Sequence, residues 1–210
     1  IIDYFIPKCA GLGNSKQPIT KMRITGGIAR SIRLKSPKGD FIRPSTDSSR
    51  ERLFASLGTR VEHCVFLDLF AGTGACGLEA LSRGASGGYF VELDRRAAKC
   101  IHENLRNVSK AIDSISTDCK VVQADALKWR PLGDIKFDIV FVDPPYPLIE
   151  KVGPVIFESL GNWIPTDGIV IFEMPAGQEY LPNGWEEFRR LGKRGKGDPT
   201  QRFLRPINRH

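Results

Sequence analysis

The chain of 210 residues has little of several things, and each shortage closes off a class of protein. No apolar run approaches the roughly 20 residues that a membrane-spanning helix needs. The opening Ile1-Ile2-Asp3-Tyr4-Phe5-Ile6 carries an acid and meets Pro7 at once, so the basic start and long apolar stretch of a secretory signal are missing. Cysteine is sparse and odd in number: Cys9, Cys64, Cys76, Cys100 and Cys119, with no Cys-x-x-Cys pair. Small core thiols in a reducing, cytoplasmic setting fit better than a disulfide framework. Only His63, His102 and His210 represent histidine, none at metal-ligand spacing from cysteines or acids, so no zinc site is expected. Repeats and low-complexity tracts are also missing. What is there is ordinary for one globular domain with a small appendage, 41% hydrophobic and 26% charged.

The net charge of +7 is unevenly spread. Residues 1–52 carry eleven Lys/Arg against four Asp/Glu, residues 53–188 twelve against nineteen, and residues 189–210 eight against one. An acidic centre between two basic ends is the footprint expected for a polyanion partner, most simply nucleic acid. Solvated charged tails are the plainer reading of the same numbers.

Residues 1–21 show no sustained periodicity and precede Met22, so they read as an extension or a processing remnant with little order. From Met22 the pattern changes. Residues 22–25 and 32–35 alternate around Gly26-Gly27, which predicts a small hairpin. Asp47 is the expected N-cap of a helix over residues 48–57, with Leu53, Phe54 and Leu57 as its apolar stripe. Strand and helix then alternate: strands at 64–70, 88–93, 120–123, 138–142 and 169–173, helices at 75–83, 95–108 and 150–160. Residues 185–191 and 202–207 read as two final strands around the basic loop Lys193-Arg194-Gly195-Lys196-Gly197-Asp198. The expected architecture is α/β: a mostly parallel sheet covered on both faces, an antiparallel hairpin at its end.

Two turns carry chemistry. After the first strand stands Asp68-Leu69-Phe70-Ala71-Gly72-Thr73-Gly74-Ala75-Cys76-Gly77, whose glycines let backbone approach a ligand at a helix N-terminus. Gly72, Gly74 and Gly77 satisfy GxGxxG, so a dinucleotide site is one reading. Asp68 ahead of the glycines would repel a pyrophosphate but welcome a cation. Glu92 ends the second strand, where an acid can hold ribose hydroxyls. Asp125 can accept from an adenine amine beside Ala126, or merely cap a helical turn. S-adenosylmethionine fits these positions together, its sulfonium near Asp68.

The second turn is Asp143-Pro144-Pro145-Tyr146, directly after the apolar run Ile139-Val140-Phe141-Val142. It lies at a strand's carboxyl end, where open α/β sheets place ligands. The two prolines stiffen it and remove two donors. A carboxylate, the Pro144 carbonyl and an aromatic face suit a flat base with an exocyclic amine: Asp143 and Pro144 accept its N–H bonds while Tyr146 stacks. A surface turn is the bland alternative.

DLFAGTGACGLEALSRGA, VELD and FVDPPY, in that order, resemble a class I amino-methyltransferase. With MRITGG and FIRPSTDSSRERLF in front, the chain is similar to the 16S rRNA (guanine-N2)-methyltransferases from Met22 through about Ala176. The resemblance implies a Rossmann-like seven-stranded sheet with a small N-terminal β-hairpin, an RNA-binding segment over 22–57 and a methyltransferase domain over 58–210. It implies S-adenosylmethionine held by Asp68, Phe70, Gly72, Thr73, Gly74, Glu92, Leu93, Asp125 and Ala126. Asp143, Pro144 and Tyr146 become the catalytic residues. Arg43, Thr46, Arg50, Lys193, Arg194 and Arg202 are the expected contacts to small-subunit rRNA, free or in a partly assembled subunit, for a monomer needing no metal or membrane. Ala29-Arg30-Ser31 departs from the family pattern on a surface expected to touch RNA. Only seventeen residues separate Asp125 from Asp143, too few for a DNA target-recognition domain. Adenine-N6 methylation of DNA or another RNA, an NAD-dependent oxidoreductase, and a non-catalytic RNA-binding protein are the competing readings.

Overall fold

The computed structural model describes residues 22–37, 46–113, 118–192 and 199–207. The expected extension over 1–21, Arg43, Lys193 and Arg194 lie outside the described residues. Seven strands, β1 Val65–Leu69, β2 Gly87–Glu92, β3 Asp118–Gln123, β4 Ile139–Val142, β5 Ile169–Pro175, β6 Trp185–Leu191 and β7 Pro199–Pro206, form one sheet. Their order is β3-β2-β1-β4-β5-β7-β6. The first five pair in parallel; β7 runs antiparallel to both β5 and β6. The chain moves outward from β1 to β3, then returns to add β4 on the other side of β1. The carboxyl ends of β1 and β4 therefore flank the topological switch point, where ligands bind in open sheets.

Apolar residues on successive strand positions point to opposite faces, and both faces are covered. Helices α1 Asp47–Leu57, α2 Ala75–Ser82 and α3 Arg95–Ala111 cover one face. There Leu53, Phe54, Leu78 and Ile101 pack with Phe66, Phe90 and Phe141. Helix α4 Ile149–Trp163 covers the other, setting Val152, Ile156 and Phe157 against Val140, Val170 and Phe172. Residues 22–34 join the first core through Met22, Ile24, Ala29 and Leu34.

The N-terminal hairpin forms as two short arms bridged at Arg23 and Arg33. Ile24 donates its N–H to the Ile32 carbonyl and Leu34 to that of Met22, both at 2.9 Å. Its turn rests on the end of α2, where the Ala29 N–H reaches Ser82 Oγ at 2.9 Å. Since α2 runs away from the carboxyl end of β1, this turn lies at the sheet's opposite end. The Ala29-Arg30-Ser31 stretch, expected on a surface that touches RNA, thus lies at the end of the sheet away from the switch point. The free ends of the arms point the other way. Thr73 Oγ1 meets Met22 Sδ at 3.3 Å, and Asn104 accepts from Lys35 N–H at 2.7 Å while donating to the Thr73 carbonyl at 3.1 Å.

One cap differs from expectation. Thr46, not Asp47, caps α1, its hydroxyl accepting from Ser49 N–H at 3.1 Å. Asp47 instead opens the helix and pairs with Arg23 and Arg50.

Candidate functional site

The glycine turn after β1 is shaped by three left-handed residues, Phe70 at φ 59°, Gly72 at 56° and Gly74 at 76°. Glycine adopts that conformation without strain, whereas Phe70 holds it at a cost. Gly74 is the N-cap of α2. Gly77 serves packing: an added Cβ would lie 2.4 Å from Phe90 and 2.5 Å from Phe66. Only glycine lets the start of α2 sit this close to β1 and β2.

Glu92 ties the turn to β2. Its Oε2 accepts from Gly72 N–H and its Oε1 from Asp94 N–H, both at 2.7 Å. The carboxylate that would hold a ribose is therefore already aimed by two backbone donors. Leu93 follows it and is 56% exposed, an unusual degree for a leucine beside buried strands. Across the crevice, Ala126 is buried. Asp125 Oδ1 accepts from Leu127 N–H at 3.0 Å, and its carbonyl accepts from Lys128 and Trp129. It caps a helical turn, the plainer of its two sequence readings. Thr73 is buried and bonded to Met22 and Asn104, so it shapes the turn through packing.

Asp68 lies beneath the turn, 5% exposed, with Oδ2 accepting from Gly77 N–H at 3.0 Å. It anchors α2 and can act on a ligand through its field, not by open contact. Burial pushes its carboxyl up to about 8 against the Gly77 bond, with Glu92 adding to the rise. An uncompensated acid here favours a cationic ligand.

Beyond β4, Asp143 opens to solvent within the recess while Pro144 is buried against it. Tyr146 begins a short 3-10 turn, Tyr146–Leu148, and is partly buried. Of the two proline carbonyls, that of Pro145 accepts from Leu148 N–H at 2.9 Å. The Pro144 carbonyl accepts no backbone hydrogen bond from the described turns and loops. Desolvation raises the Asp143 carboxyl well above the ordinary range, followed by the charges of Glu173 and Asp68.

Sequence reading missed Glu173. Val142 pairs with Phe172, so the next residues, Asp143 and Glu173, stand side by side at the ends of β4 and β5. Glu173 pairs in turn with Gln201 of β7. Gln201 Nε2 donates to Glu173 Oε2 at 3.3 Å, and the Tyr146 hydroxyl lies 3.5 Å from Oε1. The one signal in the sequence was a lone acid at the carboxyl end of the apolar run Ile169-Val170-Ile171-Phe172.

Two expected RNA contacts are corrected. Arg50 is fully buried; it pairs with Asp47 at 2.8 Å and Glu79 at 3.5 Å and donates to the Arg23 carbonyl. Arg202 is also buried, pairing with Glu179 and Glu187 at 3.5 Å and donating to the Gln178 and Tyr180 carbonyls. Both guanidinium groups bind the protein itself. Thr46, also expected to face RNA, caps α1. The hairpin arms present basic groups instead: their alternation buries Met22, Ile24 and Leu34 and turns Arg23, Arg33 and Lys35 outward. Among the described residues no group of acids, histidines and cysteines could hold a metal ion, and no helix is long and apolar enough to cross a membrane.

Comparison with known proteins identifies the family and the fold. A family profile described as Conserved hypothetical protein 95 matches residues 22–205. The Escherichia coli protein named Ribosomal RNA small subunit methyltransferase D is 32% identical over 173 residues, 80% of this chain and 83% of that one. A solved Escherichia coli structure described as a methyltransferase superposes with a TM-score of 0.72 at 31% identity, covering 88% of this chain and 97% of that one. An RNA methyltransferase from Salinibacter ruber, solved with S-adenosyl-L-homocysteine, is similar in fold, with a TM-score of 0.57 at 20% identity over 80% and 96% of the chains.

Proposed function

This chain belongs to the family described as Conserved hypothetical protein 95 and is 32% identical to a small-subunit ribosomal RNA methyltransferase, and from that premise we propose a mechanism. The protein is an S-adenosylmethionine-dependent methyltransferase acting on small-subunit rRNA. Its target is the exocyclic N2 amine of a guanine, presented by a partly assembled ribosomal subunit.

The observation that carries this reading is the position of Asp143-Pro144-Pro145-Tyr146. It stands at the carboxyl end of β4, across the switch point from the glycine turn of β1. The donor set fits S-adenosylmethionine: Glu92 for the ribose, Leu93, Asp125 and Ala126 around the adenine, Phe70, Gly72, Thr73 and Gly74 as the wall, Asp68 as a buried acid that a nearby cation would ionise. When bound, that cofactor supplies an electrophilic methyl group on a sulfonium and leaves as a neutral thioether.

A guanine amine is a weak nucleophile because its lone pair is delocalised into the ring. Hydrogen bonds to Asp143 and the Pro144 carbonyl favour a pyramidal nitrogen with its lone pair directed outward. The nitrogen gains one carbon bond and loses one proton, which passes by Asp143 to solvent. Tyr146 stacks on the extruded base, holding it in line. Preorganised acceptors and positioning supply most of the acceleration in such a site.

The RNA backbone runs over the hairpin arms. Their outward Arg23, Arg33 and Lys35 border the open end of the crevice, since Lys35 joins Asn104 and, through it, Thr73. The experiment is transfer of tritiated methyl from S-adenosylmethionine to unmodified small-subunit rRNA, with and without ribosomal proteins, followed by nucleoside mass spectrometry. N2-methylguanosine is expected, more of it on the protein-bound particle. N6-methyladenosine as the product would overturn the base assignment.

A further inference from the structure

We propose that Glu173 reads the guanine: it accepts the base's N1–H beside the amine held by Asp143, and so rejects bases whose N1 carries no hydrogen. This rests on the guanine-N2 reading above and deepens it.

The fold places the two acids as a pair. Pairing of Val142 with Phe172 sets Asp143 and Glu173 at one level on adjacent parallel strands, which lie about 4.8 Å apart. Alternation along β5 puts Glu173 on the same face as Ile171, the side of the sheet that carries α2 and the glycine turn. Their closeness is also felt electrostatically, since Glu173 raises Asp143 and both raise the Cys76 thiol.

Glu173 is held as a reading group must be. Buried Gln201 donates to one oxygen and the Tyr146 hydroxyl approaches the other, so the carboxylate has a fixed plane. A carboxylate accepts at about four sites, so it can hold partners in the protein and still take a donor from a base. Tyr146 links the device to the stacking platform, because the ring that would hold the base also orients the acid that would read it.

The chemistry then separates the bases. The Watson–Crick edge of guanine offers two adjacent donors, N1–H and the N2 amine, which match two adjacent carboxylates. Adenine offers one amine and a bare N1 acceptor. Placing that N1 against Glu173 sets lone pair against lone pair. Sites built to bind a substrate N–H reject the analogue lacking it far more strongly than apolar pockets reject a missing methylene. A protein needing only to hold an exocyclic amine has no use for the second carboxylate, whose presence raises the pKa of the first.

The test uses the full chain and reconstituted small-subunit particles. The methylated guanine is located with wild type, then replaced by 2-aminopurine, which keeps the 2-amine but has no hydrogen on N1. Wild type is expected to prefer guanine over 2-aminopurine by on the order of 100-fold or more in kcat/KM. In Glu173→Gln the amide can accept from N1–H or donate to a bare N1. Its preference should shrink at least about tenfold, chiefly by gain on 2-aminopurine. The same variant should move the acid limb of the pH–rate profile to lower pH, since one charge raising Asp143 is gone. The groups around Asp143 in that profile are Glu173 on β5, Asp68 on β1, Cys76 on α2 and the Tyr146 hydroxyl on its own turn. Glu173→Asp keeps the charge but retracts it by one methylene, and should lose part of the preference. An unchanged guanine to 2-aminopurine ratio in Glu173→Gln, with cofactor affinity at the wild-type value, would overturn the proposal. If Glu173→Gln does not fold, an unchanged ratio in Glu173→Asp would overturn it instead. Failure of the underlying reading is a different result: wild type would then place the methyl on adenine, or on no guanine N2.

Discussion

At the scale of single residues, Asp143 and Glu92 divide the site between its two ligands. Asp143 faces the amine, so Asp143→Asn should lower kcat on the order of 100-fold or more while cofactor affinity by calorimetry stays within about twofold. Near-wild-type turnover would remove Asp143 from the chemistry. Its pH behaviour carries a definite sign. Only the carboxylate accepts the amine proton, and the surroundings hold the group above its ordinary range. Activity should therefore fall on acidification well before a solvent-exposed aspartate would titrate. Glu92 acts differently. Beyond any ribose contact it binds Gly72 N–H and Asp94 N–H, so Glu92→Ala strips two backbone donors of their partner. Cofactor affinity should drop by about 2–3 kcal/mol and the glycine turn should loosen, seen as faster amide exchange at Gly72. Unchanged affinity would place the ribose elsewhere.

At the scale of elements, the alternation of apolar strands with glycine-ended helices was readable, because period and punctuation are local. Every expected element from the first strand onward is present, with ends displaced by a few residues. The acids at the sheet's carboxyl edge were readable for the same reason: Glu92, Asp125 and Asp143 each end or follow a strand, and Asp68 stands one residue before the end of its own. What was not readable depends on partners distant in sequence. Arg50 and Arg202 look like surface charges in a basic segment, yet Glu79 and Glu187 on other elements draw them inside. Glu173 drew no notice because its meaning comes from strand register with Asp143. Burial makes the Arg50 prediction sharp. Arg50→Met leaves Glu79, itself fully buried, with Arg83 and Thr25 as its remaining partners. Breaking a buried pair costs about 3–5 kcal/mol, at the lower end here given those partners, so the melting temperature should drop sharply. Replacing Arg33 and Lys35 by alanine should leave melting nearly unchanged but weaken RNA binding. The slope of log affinity against log salt should shrink by slightly under one unit for each phosphate no longer neutralised. Parallel salt slopes for wild type and this double variant would take the RNA off the hairpin arms.

At the scale of the whole molecule, the hairpin arms carry exposed basic groups while acids gather at the carboxyl edge of the sheet. Asp68, Asp143 and Glu173 converge there, and in the ligand-free protein this arrangement is costly. Asp68 keeps its proton up to about 8, whereas an unfolded aspartate releases it at about 3.9. Between those values the folded state binds more protons than the unfolded one, so stability falls as pH rises through this window. Asp68→Asn should weaken that decline in melting temperature between about pH 5 and 8, the isosteric amide carrying no charge. A cationic ligand reverses the sign. The sulfonium of S-adenosylmethionine favours the ionised acids, so its binding should release protons and tighten from about pH 6 to about pH 8. S-adenosylhomocysteine shares every other group but has a neutral sulfur, and its affinity should change much less over the same range. Calorimetry of both ligands in two buffers of different ionisation enthalpy measures the protons released. Equal release by the two would mean that the buried acids do not sense the sulfonium. Unequal release would also explain how product leaves: once the methyl is transferred the positive charge is gone, and the acid cluster no longer holds the thioether.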